Sequence, residues 1–133
     1  MLKGIIFDMD GVLINSEPFH YRVWKETLRQ RGVNLEYQVY KACIGSTVGF
    51  LMGLLHEHYG IDAQDSSLVR EMQEMKKKLI KNDGYPPLIP YVKELLQNLS
   101  RAGYQLAVAS SSPLAYIEEV TEHWEIGQYF THL

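Results

Sequence analysis

The chain has 133 residues, 46% of them hydrophobic, and a formal net charge of -3, which fits one ordinary domain, or a domain with a modest insertion, able to bury a real core. Its basic residues gather only at Lys76, Lys77 and Lys78, a pattern suited to the solvated face of a helix, so neither nucleic acid nor a membrane is expected as a partner. The single cysteine, Cys43, makes no internal disulfide or thiolate cage and reads as a small buried hydrophobe; with no signal peptide or spanning segment ahead of Asp8, a reducing, cytoplasmic setting is predicted.

"LKGIIF", residues 2–7, is an apolar, β-branched run that predicts a strand buried on both faces of a parallel sheet. Helical spacing follows: Phe19, Val23, Trp24, Thr27 and Leu28 recur at three and four positions, with Ser16 and Pro18 as the start signal and Arg31-Gly32 as the end. Phe50, Leu51, Leu54 and Leu55 repeat the pattern up to Tyr59-Gly60, and a more polar helix is predicted over 66–81. "NDGYPP", residues 82–87, reads as a linker because it combines turn formers with two prolines. A helix over 89–102, closed by Gly103, then leads into a second strand, "YQLAVA", and a last helix begins near Pro113. The order strand, helical insertion, linker, helix, strand predicts an α/β fold with a Rossmann-like parallel sheet, the helix before Tyr104 supplying the crossover.

Ligands of such sheets bind beyond the carboxyl ends of the strands. Asp8 and Asp10 follow the first strand there, and Ser110, Ser111 and Ser112 follow the second. Gly11 allows a sharp turn that swings Asp10 over the crevice that Asp8 faces. One carboxylate of such a pair suits nucleophilic attack on phosphorus, and the other suits protonating a leaving oxygen and then deprotonating water. Two anions facing a phosphate call for a cation between them, and Mg²⁺ is the natural hard, oxygen-seeking choice. Ser110 offers a hydroxyl and the next backbone N–H groups an anion site. The plainer alternatives are an Asp pair facing solvent in a turn, and Ser112-Pro113 serving only as a helix N-cap with proline at the first helical position.

"FDMDGVLINSEPFH" resembles the DxDGxxxDS-type first motif of the haloacid dehalogenase superfamily, and "LAVASSS" resembles its second. The surrounding "HYRVWKETL" and "YVKELLQNLSRAGYQLAVASSS" are similar to the β-phosphoglucomutase-like branch of phosphatases and phosphomutases. The resemblance implies a core at 1–15 and 84–133 and an inserted α-helical cap at 16–83. It implies Asp8 as a nucleophile that forms an aspartyl-phosphate, and Asp10 as the general acid and base. Mg²⁺ would be held at Asp8 and Asp10, through the Asp8 carboxylate and the Asp10 backbone carbonyl. Ser110 would bind the transferring phosphoryl group, helped by backbone N–H groups around Ser111 and Gly11. His20 matches a cap-helix histidine that influences the orientation of Asp10 as the cap closes, or is an ordinary helix histidine beside Trp24. Gly45 and Ser46, in "CIGST", match the loop that selects substrate, or form a simple helix connection.

Mutases of the branch anchor a second phosphate with an arginine after the cap glycine and a polar residue after the second-motif serines, whereas this chain has "GSTVGF" and "SSSPLAY". The expected function is therefore Mg²⁺-dependent hydrolysis of a small phosphate monoester such as a sugar phosphate, with a β-phosphoglucomutase-like phosphomutase as one alternative. The family's third-motif lysine and fourth-motif acids lie downstream of the second motif, and "YFTHL" stands where a third strand would begin. The expectation is an N-terminal part with an incomplete core, inactive alone, another chain being the candidate to complete it; a non-catalytic module is the second alternative.

Overall fold

In the computed structural model, which describes residues 3–132, the chain divides into two compact units, one made of residues 3–16 and 85–132 and the other of Glu17–Gly84. The fold is α/β, with a parallel sheet in the first unit and an inserted, all-helical second unit. Among the described residues no helix is long and apolar enough to cross a membrane.

In the first unit, β1 (Gly4–Phe7) pairs in parallel with β2 (Gln105–Val108), Gly4 opposite Gln105 and Phe7 opposite Val108. β2 also pairs on its other edge, the Thr131 N–H donating to the Leu106 carbonyl at 2.8 Å and the Val108 N–H to the His132 carbonyl at 3.1 Å. A third parallel segment thus begins at "YFTHL", with β2 in the middle. Central β2 buries Leu106 and Val108. The expectation of a first strand buried on both faces fails: β1 alternates exposed and half-buried residues, and Ile6 is 74% exposed. Among the described residues β1 has a strand neighbour on one edge only, and none of them covers the face that carries Ile6. Leu2, in the expected strand, lies outside the described residues.

After β1 the chain folds onto the Met9 carbonyl, which accepts the N–H groups of Val12, Leu13 and Ile14 at 3.3, 2.9 and 3.0 Å. Gly11 has φ +79°, a left-handed angle that costs glycine little. Met9, Leu13 and Ile14 are buried beneath this turn. Leu13–Asn15 then runs antiparallel to 87–89: the Asn15 N–H donates to Pro87 and the Ile89 N–H to Leu13, both at 2.9 Å. This pairing explains why α5 is Val92–Arg101 and starts three residues later than expected, since Leu88 and Ile89 are held extended. α5 is the crossover between β1 and β2, and α6 (Leu114–His123) and a 3₁₀ turn (Gly127–Tyr129) follow β2.

The second unit holds α1 (Glu17–Arg29), α2 (Tyr37–Lys41), α3 (Val48–Tyr59) and α4 (Ser66–Asp83). The spacing from Phe19 to Leu28 becomes the buried stripe Val23, Trp24, Thr27 and Leu28 of α1. Leu28, Leu55 and Leu68 are fully buried in one apolar cluster, joined by Trp24 and by Cys43, whose thiol burial pushes to a higher pKa. Caps set the ends: Thr47 Oγ1 accepts the Phe50 N–H, the Asp65 carboxylate accepts the Ser67 and Leu68 N–H groups, and Gly60 closes α3 in a left-handed conformation. α2 has no counterpart in the sequence reading, because five residues are too few to display a helical period. α4 runs to Asp83, two residues beyond the expected end, until Gly84 stops it.

Arg31 joins the end of α1 to the start of α4, its guanidinium 2.6 Å from Asp65 and 2.9 Å from Glu71. The Ser67 hydroxyl and the Arg31 guanidinium hold the Asp65 carboxyl well below the usual carboxylate range. A depressed folded-state pKa adds stability above the unfolded value, near 4, that fades as the pH falls below it. In thermal melts Asp65→Asn should lower Tm at pH 7, and the gap should narrow steadily as the pH falls from about 4 to about 2, where the unfolded carboxyl is protonated and the folded one still resists it; a gap constant across that range would refute the ion-pair account. Leu55→Ala should cost about 2–5 kcal/mol in chemical denaturation, as a leucine fully enclosed in a core does.

Candidate active site at the strand ends

Parallel pairing puts the carboxyl ends of β1 and β2 side by side, the Ala109 N–H donating to the Phe7 carbonyl at 2.8 Å. Asp8 therefore leaves the sheet beside the start of the serine loop. Asp8 is exposed, and its Oδ1 accepts its neighbour's amide, the Met9 N–H, at 2.8 Å. The carboxylate is thereby oriented at the strand end while remaining open to solvent.

Asp10 is half-buried and gripped at both oxygens. The Ser16 hydroxyl donates to Oδ1 at 2.5 Å, and the Ser112 hydroxyl donates to Oδ2 at 3.1 Å. These donors come from different parts of the chain, Ser16 six residues on and Ser112 102 residues on. The Ser112 N–H also donates to Ser110 Oγ at 3.1 Å. A serine hydroxyl has one proton and two lone pairs, so Ser110, accepting from Ser112, keeps its proton to donate. Ser111 is exposed beside it.

The reading of Ser112-Pro113 as a simple N-cap followed by proline at the first helical position is overturned. Pro113 itself occupies the N-cap position, with ψ 143° and no side-chain cap hydrogen bond, and α6 begins at Leu114. The Ser112 hydroxyl is turned to Asp10 instead. A solvent-facing Asp pair is equally excluded for Asp10, though Asp8 does face solvent. The sequence reading missed the side chains of Ser16 and Ser112 as partners of Asp10: it gives Ser16 as a helix-start signal, and Ser112 as an N-cap or for its backbone N–H in an anion site. It also missed Tyr116, buried on α6. Burial above all, then the negative charge of Asp10, raises the Tyr116 hydroxyl far above its ordinary pKa, so it stays a neutral phenol near the acid.

Asp8, Asp10, Gly11, Ser110 and Ser111 all belong to the first unit, and His20, Gly45 and Ser46 to the second. His20 lies on α1 against the Phe19 ring, centroids 5.7 Å apart. Gly45, with φ +82°, and Ser46 are exposed in the turn joining α2 to α3, where the Ser46 N–H donates to the Cys43 carbonyl at 2.9 Å.

Among the described residues no three His, Cys, Asp or Glu side chains gather as a metal-ligating group. What the strand ends offer is oxygen only, the exposed Asp8 carboxylate and backbone carbonyls, while both side-chain oxygens of Asp10 carry serine hydroxyls. That donor set fits Mg²⁺, which takes hard oxygens and is commonly held by one or two carboxylates, with substrate phosphate and water completing its shell.

Residues 5–133 match the haloacid dehalogenase-like hydrolase family. The chain is 29% identical over 128 residues to the fructose-1-phosphate phosphatase YqaB of Escherichia coli (strain K12), an alignment covering 96% of this chain and 65% of that protein. Crystalline CbbY from Rhodobacter sphaeroides in complex with phosphate has a similar fold, with a TM-score of 0.78 and 24% identity over 99% of this chain and 62% of that one. β-Phosphoglucomutase from Clostridium difficile also matches at 0.78, with 20% identity over 99% and 60% of the two chains. The chain spans between 52% and 65% of the length of curated relatives that it matches. With a match running from Ile5 through both strand ends, on a fold that these relatives share, the chain belongs to the haloacid dehalogenase-like hydrolase family.

Proposed function

We propose that the whole protein is a Mg²⁺-dependent phosphatase that hydrolyses a small phosphate monoester, a sugar phosphate in the first instance, through an aspartyl-phosphate on Asp8. The observation that carries this reading is the placement of Asp10, fixed between Ser16 and Ser112, next to an exposed Asp8 and a serine loop on the adjacent strand. A relative named as a fructose-1-phosphate phosphatase supports the substrate class.

In the first step an Asp8 carboxylate oxygen attacks phosphorus, the bond to the leaving oxygen breaks, and protonated Asp10 gives that oxygen its proton. In the second step Asp10, now a carboxylate, takes a proton from the water that attacks the aspartyl-phosphate, which restores Asp8 and releases inorganic phosphate. Ser110 donates its hydroxyl proton to a phosphoryl oxygen, with backbone N–H groups around Ser111 and Gly11 assisting. Mg²⁺, held by the Asp8 carboxylate and the Asp10 carbonyl, would supply electrostatic compensation between the carboxylates and the phosphate. The inserted helical unit takes the role of a cap that excludes bulk water, with His20 influencing Asp10 and with Gly45 and Ser46 in the substrate-selecting loop.

Phosphatase is favoured over phosphomutase because a second phosphate lacks an anchor. No arginine stands in the stretch "GSTVGF" that starts at Gly45, Thr47 Oγ1 is used to cap α3, and Pro113 and Leu114 bring no side-chain donor. A screen of phosphorylated metabolites with Mg²⁺ should show phosphate release that EDTA abolishes. Conversion of β-glucose 1-phosphate to glucose 6-phosphate faster than phosphate release would establish the mutase instead. Asp8→Asn should reduce turnover to background, and Asp10→Asn should lower kcat by about 10²–10⁴-fold, the usual worth of a positioned acid and base; detectable turnover by Asp8→Asn would refute the nucleophile assignment.

A further inference from the structure

We propose that Ser112 is a positioning residue for Asp10, locking the carboxylate plane of the acid and base in register with the phosphate-binding hydroxyl of Ser110; this rests on the roles of Asp10 and Ser110 given above. The turn at Gly11 fixes the backbone of Asp10 but not its side chain, whose terminal torsion is broad. The hydrogen bond from Ser16 holds Oδ1. The second, from Ser112 to Oδ2, comes from another strand's loop and fixes the plane.

Ser112 is the residue that joins the two halves of the site. Its side chain reaches Asp10 while its backbone N–H reaches Ser110 Oγ, so one residue sets both the proton-transfer group and the hydroxyl that meets the phosphoryl oxygens. The hydroxyl has no helix-capping duty, since Pro113 holds the N-cap position. With its single proton directed to Asp10, Ser112 is not a phosphate donor, which separates its role from that of Ser110. Losing the Ser112 hydroxyl should therefore disturb proton transfer and leave phosphate binding intact, because the Ser112 N–H and Ser110 remain.

Two measurements test this. In crystal structures of the 133-residue chain, Asp10 should keep its side-chain orientation in the unsubstituted protein and in Ser112→Thr, and rotate in Ser112→Ala. In kinetics of the whole enzyme, kcat/KM reports the first transfer, in which a sugar alcohol needs a proton to leave and p-nitrophenolate does not. Ser112→Ala should lower kcat/KM for a sugar phosphate about ten-fold, the scale of one hydrogen bond to a charged group. The value for p-nitrophenyl phosphate should stay within about two-fold, as protonation contributes little to that departure. Ser112→Thr should restore the sugar phosphate value. An unmoved Asp10 in Ser112→Ala, equal losses on both esters, or no restoration by threonine would each overturn the assignment. If the unsubstituted enzyme hydrolyses neither ester, the phosphatase reading fails, and the crystal structures still decide whether Ser112 orients Asp10.

Discussion

The ladder of hydrogen bonds between β1 and β2 is what the rest of the site depends on. Parallel pairing in this register sets Phe7 against Val108, so two chain segments a hundred positions apart leave the sheet together. A parallel pair cannot be closed by a tight turn and needs a crossover. α5 provides it, leaving the carboxyl ends of both strands facing the same way. Asp8 and Ser110 inherit their proximity from the backbone, before any side chain interacts.

On that frame the side chains add direction. Asp8 is steadied by its neighbour's amide and left exposed, whereas Asp10 is half-buried and held by a hydroxyl at each oxygen. The two carboxylates thus have different surroundings, which suits the nucleophile and proton shuttle proposed for them. Tyr116, a buried neutral phenol on α6, adds no charge to this acidic corner.

The inserted unit is stabilised independently, with its own apolar cluster around Leu28, Leu55 and Leu68. Both its connections leave from a short antiparallel ribbon, Leu13–Asn15 against 87–89, whose carbonyls and N–H groups satisfy one another. The same ribbon displaced the start of α5 from the place that helical periodicity suggested. Periodicity registers which face is apolar, and it is silent about a nearby strand competing for the same backbone.

The sequence by itself determined a good deal: the strand, helical insertion, helix, strand order, the α/β class, and the acids and serines at the strand ends. These follow from local chemistry, namely apolar runs, caps, glycine turns and a motif contained in seventeen consecutive residues, 4–20. Tertiary structure alone decided that Ser112 serves Asp10 and not the helix behind it, because that bond joins positions 102 apart and leaves no local signature. It also decided that β1 keeps an exposed face at Ile6 while β2 is central, since burial depends on which neighbours pack against a strand, and an apolar run looks the same in either place.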